Sequence, residues 1–142
     1  MKIGEVINWI SFSVSIASFI LTLWALWKIR KLRKFYVLVN RAPELLVIIR
    51  DQDENLSKLM IRFNKSLPRI KLELGELRGN LSSLQKLVDK PMRHSIGCAI
   101  QLVEQYNMDQ APGREHLVSI RAELRKVLRE VENAVAYERS VK

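Results

Sequence analysis

Three groups of cationic residues are spaced as an anion-binding surface would need them. In Lys90-Pro91-Met92-Arg93-His94-Ser95, a proline suited to the first turn of a helix sits among Lys90, Arg93, His94 and Ser95. Free N–H groups and the positive end of the dipole at such a start favour phosphate, and nearby cations and a hydroxyl strengthen the attraction. Lys58, Arg62, Lys65 and Arg69 repeat at spacings of 4, 3 and 4, which on one helix is a basic line opposite or beside its apolar stripe. Arg114, Arg121 and Arg125 form a third group. Two plainer alternatives stand beside this. Each group can be the solvated face of an amphipathic helix, balanced by Glu73, Glu76, Glu115 and Glu123. The line from Lys58 to Arg69 can also lie against anionic headgroups, at about 1 kcal/mol per cation. Symmetry favours ligand binding, because one modest patch per chain becomes a ring in an oligomer, and a ring can hold a polyanion.

Catalytic chemistry is hard to assemble from this chain. His94 and His116 are not spaced as a metal pair, and Cys98 has no ligand companions. Phosphate-loop, dinucleotide and nucleophile-elbow motifs are all missing. His94 precedes Cys98 by four residues, so the two share a helix face, yet activating a nucleophile also needs a third, orienting group. A structural cysteine beside a surface histidine is the simpler explanation. The expectation is a non-enzymatic protein with no cofactor and no metal.

The elements that must position these cations are helical. Leu45, Ile49, Leu56, Leu59, Phe63 and Leu67 form an apolar stripe interrupted at Gln52, and Pro43 with Glu44 suits the start of that helix. Leu45-Leu46-Val47-Ile48-Ile49 has strand-like composition but no partner strand. Pro68 interrupts the pattern. Ile70, Leu74, Leu77, Leu81, Leu84 and Val88 then follow at alternating spacings of four and three, a heptad-like seam. Gly75 and Gly79 cost that helix about 1 kcal/mol each relative to Ala. They either permit close backbone packing or leave a loose, bendable helix. Met92, Ile96, Ala99, Ile100 and Val103 mark a further helix after Asp89-Lys90-Pro91, and Asp109-Gln110-Ala111-Pro112-Gly113 is the clearest loop. Leu117, Ile120, Leu124, Val127, Leu128, Val131 and Val135 mark the last helix. The fold class expected is all-α, a bundle of about four helices over 43–142, with short turns that favour antiparallel neighbours.

Residues 1–42 differ from the rest. Val6 to Trp27 is 22 residues without a formal charge, long enough to cross a bilayer core, with Trp9 near one end and Trp24 and Trp27 near the other. A signal peptide has a shorter apolar run followed by a cleavage site. Here the run leads into Lys28-Ile29-Arg30-Lys31-Leu32-Arg33-Lys34, five cations in seven residues, which predicts a retained anchor. Lys2 is the sole cation on the other side, so the charge asymmetry predicts an N-terminus outside and residues 28–142 in the cytosol. A single cysteine is consistent with a reducing compartment. The net charge of +9 divides into +6 over residues 1–42 and +3 over 43–142. Most of the excess is therefore membrane collar, and binding to duplex DNA is not expected.

Within the span, Asn8, Ser11, Ser15, Ser18, Thr22 and Ala25 fall on one line with spacings of 3, 4, 3, 4 and 3, a left-handed coiled-coil seam. Membrane helices associate through small residues and hydrogen bonds. The line continues as Ile29, Leu32, Tyr36 and Val39, becoming apolar where the helix enters water. One association face crossing two solvents would do this, and with one span per chain the expected partner is another copy. The alternative is that Ser and Thr bond their own backbone carbonyls and align by chance. Whether the line is a dry seam or lines a pore depends on copy number.

A single N-terminal span, a basic collar and about a hundred helical residues without catalytic motifs resemble the small membrane effectors of bacterial antiviral defence. The nearest likeness is to the cyclic tetra-adenylate-binding membrane effectors associated with type III CRISPR systems. The resemblance implies a domain that oligomerises, as a tetramer, around a cyclic oligoadenylate and signals to its membrane segment to perturb the bilayer. Lys90, Arg93, His94 and Ser95 come from the helix-start argument and not from that family. Two rivals belong to other classes. One is a membrane-anchored scaffold that docks a protein partner, marked by an exposed apolar patch. The other is a pore former needing no ligand, for which a hundred ordered residues would be superfluous.

Overall fold

The computed structural model describes residues 3–141, so Lys2 of the charge asymmetry lies outside the described residues. Four helices, α1 (Ile3–Met60), α2 (Phe63–Leu87), α3 (Lys90–Met108) and α4 (Arg114–Ser140), account for nearly all of them, and no strand occurs among the described residues. The chain divides into two compact units, Met1–Tyr36 and Val37–Lys142.

In the first unit α1 is long and apolar enough to cross a membrane. A lone helix satisfies its own backbone in hydrocarbon, so nothing else is needed to carry it there. Its Trp, Phe, Ile and Leu side chains are exposed from Ile7 to Trp27. Lys28 Nζ lies 4.8 Å from the Trp24 ring centroid and Lys31 Nζ 5.5 Å from that of Trp27. The i, i+4 spacing thus stacks Lys28 and Lys31 on Trp24 and Trp27.

In the second unit the rest of α1 joins α2, α3 and α4 in an up-down-up-down bundle. Cross-helix bonds fix the neighbours. On α1 and α4, Val39 meets Arg139, Arg50 meets Glu132, and Asp53 meets Arg121. On α1 and α2, Gln52 meets Asn80 and Asn55 meets Glu73. On α2 and α3, Gln85 meets Arg93 and Arg78 meets Glu104. Numbers rise on one helix as they fall on its neighbour, so each of these three pairs is antiparallel, as short connections favour.

Ile70, Leu74, Leu77, Leu81 and Leu84 of α2, Val88 at its C-terminal cap, and all seven expected positions of α4 are buried in one core with Leu46, Ile49, Leu56, Ile96, Ala99 and Val103. Each fully buried Leu or Ile contributes about 1.5–3 kcal/mol by leaving water. The strand-like run 45–49 is helical, because Leu46 and Ile49 supply one face of that core.

Two helix boundaries differ from expectation, both at prolines. No helix starts at Pro43, which lies inside α1, and Leu38 and Ala42 upstream of it are already buried in the bundle. A proline within a helix removes the donor that would bond the carbonyl four residues back. That carbonyl belongs to Val39, and Arg139 Nη2 of α4 donates to it at 3.5 Å. The helix therefore continues with its orphaned acceptor served from a neighbour. Nor does the chain break at Pro68, which lies inside α2. The reversal comes earlier, at Ile61 and Arg62, where Ile61 N–H donates to Lys58 O and Arg62 N–H to Leu59 O in tight turns. Pro68 orphans only the carbonyl of Asn64, an exposed residue in the first turn of α2.

Pro91 and the loop after Asp109 fall where expected. Asp89 caps α3 with extended backbone, and Asp109 Oδ1 accepts from Ala111 N–H at 3.1 Å. Gly75 and Gly79 are exposed, and a Cβ at either would meet nothing within 4 Å, so within the chain neither serves close packing.

Candidate anion-binding site

The early reversal of the chain builds a cleft. Met60, Ile61, Arg62, Phe63, Asn64 and Lys65 line it from the α1–α2 turn, and Arg114 lines it from the start of α4, around a volume of about 740 Å³. No carboxylate is among those residues. The Arg62 carbonyl accepts from the N–H groups of Lys65 and Ser66, both at 3.1 Å, which starts α2 with Arg62 at its cap position. The first turn of α2 contains no acid, and neither α2 nor α4 has a capping side chain. Cations beside helix N-termini oppose the dipole. Arg62, Lys65 and Arg114 thus raise the local positive potential, and the one acid in the first turn of either helix is Glu115 of α4. Among the described residues none of the three has a carboxylate partner.

Several other cations of the bundle are paired. Arg50 pairs with Glu132, Arg78 with Glu104 at 2.6 Å, Lys58 with Glu54 at 3.0 Å, and Lys126 with Glu123 at 3.5 Å. Arg121 holds Asp53 through two bonds, Nε to Oδ1 at 2.7 Å and Nη2 to Oδ2 at 3.2 Å, and Arg125 Nε reaches Oδ2 at 3.4 Å. Of the third basic group, then, Arg114 alone faces the cleft, while Arg121 and Arg125 neutralise a buried acid. Asp53 is the residue that sequence reasoning missed. Its signal was a carboxylate beside the Gln52 interruption of an apolar stripe, with two arginines at i and i+4 elsewhere to face it.

The line Lys58, Arg62, Lys65 and Arg69 does not lie on one helix. The turn at Ile61 puts Lys58 on α1 and Lys65 and Arg69 on α2. Lys58 and Arg69 meet again across the hairpin in a smaller cavity with Asn55, Leu59 and Glu73, where Asn55 Nδ2 donates to Glu73 Oε1 at 3.2 Å. The four cations therefore make two patches, one balanced by Glu54 and Glu73 and one unbalanced.

The α3 start lies at the opposite end of the bundle from this cleft. There Arg93 Nε donates to Val88 O at 2.9 Å, and Gln85 Nε2 donates to Arg93 O at 2.9 Å, which fastens the end of α2 to α3. Lys90 and His94 are exposed and Ser95 is half-buried. His94 Nε2 and Cys98 Sγ are 3.9 Å apart, on one helix face as their spacing implied. Among the described residues no three His, Cys, Asp or Glu side chains converge as metal ligands.

On the membrane line, Ser15 Oγ donates to Ser11 O at 2.9 Å and Thr22 Oγ1 to Ser18 O at 2.8 Å. These hydroxyl protons are satisfied within the helix, while the oxygens keep acceptor capacity. Asn8, Ser11 and Ser18 are exposed, as are Ile29, Leu32 and Tyr36 further along the same line. No known protein family, curated protein or solved structure matches this chain.

Proposed function

We propose that this chain is a membrane-anchored, non-enzymatic effector whose helical bundle assembles with copies of itself and responds to an anionic ligand. One observation carries the proposal: a helix able to cross a membrane belongs to a chain in which Arg62, Lys65 and Arg114 line one cleft with no carboxylate to neutralise them. Unneutralised cations in a concave site attract anions. In the finer form of the proposal the ligand is a cyclic oligoadenylate, the assembly is a tetramer, and the bundle faces the cytoplasm of a bacterium with the N-terminus outside. Lys90, Arg93, His94 and Ser95 then offer a second cationic surface at the other end of each bundle. Binding shifts the assembly only to the extent that the ligand prefers the active arrangement, and the response is a perturbed membrane in antiviral defence.

The experiment is dye release from liposomes containing the full chain. Cyclic tetra-adenylate triggers release and linear tetra-adenylate does not. Equal release with and without the cyclic ligand would point to a constitutive pore. No release under any ligand would favour the scaffold reading. That second reading draws support from Ile61 and Met108, 80% and 81% exposed at one end of the bundle, where an apolar partner surface would fit.

A further inference from the structure

Resting on the anion-binding proposal, we infer that the cleft at the α1–α2 turn takes a ligand with at least two phosphoryl groups, which bridges the two helical hairpins at that end of the bundle. Arg62 and Lys65 belong to the α1–α2 hairpin and Arg114 to the α3–α4 hairpin. Between hairpins, this end is held by Lys71 Nζ donating to Asp109 O at 3.0 Å and Arg121 Nη1 donating to Met60 Sδ at 3.8 Å, and the cations of the cleft repel one another across it. An anion that touches both sides replaces that repulsion with attraction and draws the two turns together.

The composition of the lining selects the anion. Two guanidinium forks match phosphoryl oxygens in bidentate geometry, and the Lys65 ammonium adds a point charge. Asn64 offers an amide donor. With no acid in the lining, a cation or zwitterion gains nothing there. A volume of about 740 Å³ is far more than one phosphate fills and lies within the range of sites for whole small molecules. Met60, Ile61 and Phe63 give the remainder an apolar wall, suited to the body that carries the phosphoryl groups. A soluble polyphosphorylated molecule and a lipid headgroup share this chemistry, and the experiment separates them.

The test uses the full chain in phosphatidylcholine nanodiscs with inorganic tripolyphosphate as probe and acetate at matched ionic strength as control. Hydrogen exchange over residues 60–66 and 108–116 and acylation of Lys65 are followed by mass spectrometry. Tripolyphosphate slows exchange at both turns together and protects Lys65, whereas acetate does neither. Lys65→Gln and Arg114→Gln each weaken the effect about tenfold, the size of one charge-assisted hydrogen bond. Lys126→Glu, a charge change elsewhere on α4, leaves it intact. Protection of Lys65 in nanodiscs containing phosphatidylglycerol, with no response to tripolyphosphate, assigns the same site to a lipid headgroup. Undiminished tripolyphosphate binding by both Gln variants overturns the assignment while leaving the chain an anion binder. Slowing at residues 60–66 alone overturns the bridge. No anion effect on the wild-type chain, in either bilayer, defeats the anion-binding proposal itself. Circular dichroism of the variants, whose changed side chains are exposed, confirms that they fold.

Discussion

The Asp53 carboxylate, 8% exposed on α1, is gripped at both oxygens by the Arg121 guanidinium of α4. It sits next to Gln52, whose Oε1 accepts from Asn80 Nδ2 of α2 at 3.0 Å. Together they form a polar layer that ties α1 to both neighbours inside an otherwise apolar core. Removing one partner of a buried pair strands the other charge, so Asp53→Asn is expected to destabilise the bundle on the order of 3 kcal/mol in denaturant unfolding. The joint replacement Asp53→Leu with Arg121→Met should cost far less, because it leaves no stranded charge.

Arg139 serves the carbonyl that Pro43 orphans, and this makes two distant positions interdependent. Pro43→Ala restores the N–H and removes a helix-breaking residue, so it should raise stability by about 1–3 kcal/mol. In the wild type, Arg139→Ala should cost roughly 0.5 kcal/mol, the low end for a hydrogen bond that is long and exposed. In the Pro43→Ala background that cost should shrink toward zero. A double-mutant cycle measures the coupling, and strict additivity would mean that Arg139 does not substitute for the missing donor.

Tyr106 is buried, and among the described residues its hydroxyl has no hydrogen-bond partner. Burial first, and the nearby Asp109 charge second, push it above its ordinary value of 10.0. An acid whose folded pKa is raised contributes stability that is complete below the unfolded value and is lost as pH climbs through the folded one. Stability should therefore fall above pH 10, and Tyr106→Phe should flatten that decline. Removing an unpaired buried hydroxyl should also stabilise the protein by about 1 kcal/mol at neutral pH. A destabilised Phe variant would show that the hydroxyl has a partner.

Gly75 and Gly79 face open space. Replacing both with Ala should stabilise α2 by about 1 kcal/mol per site without changing assembly. If the double variant instead disrupts oligomers in cross-linking, these glycines pack against a second copy.

Apolar periodicity made most of the fold legible. The α2 and α4 seams are uninterrupted, and every position they mark is buried. The prolines misled for a physical reason. A proline removes one donor and adds a clash, and where a neighbouring side chain or solvent serves the orphaned carbonyl, packing outweighs the loss. Val39 and Arg139 show this for Pro43. Residue spacing could nominate Arg62, Lys65 and Arg114 as cations but could not show that they share a cleft, since that depends on the turn at Ile61 and Arg62, well before Pro68. Nor could it separate them from Arg121 and Arg125, which look alike in sequence and differ only in facing Asp53.

The most direct measurement is isothermal titration of the full chain in nanodiscs with cyclic tetra-adenylate, with linear tetra-adenylate as control. Binding of the cyclic form, weaker heat from the linear form, and loss of both signals when Arg114 is changed to Glu are the expected results. Heat that is absent for the cyclic form, or equal for wild type and the Arg114→Glu variant, would contradict the proposal.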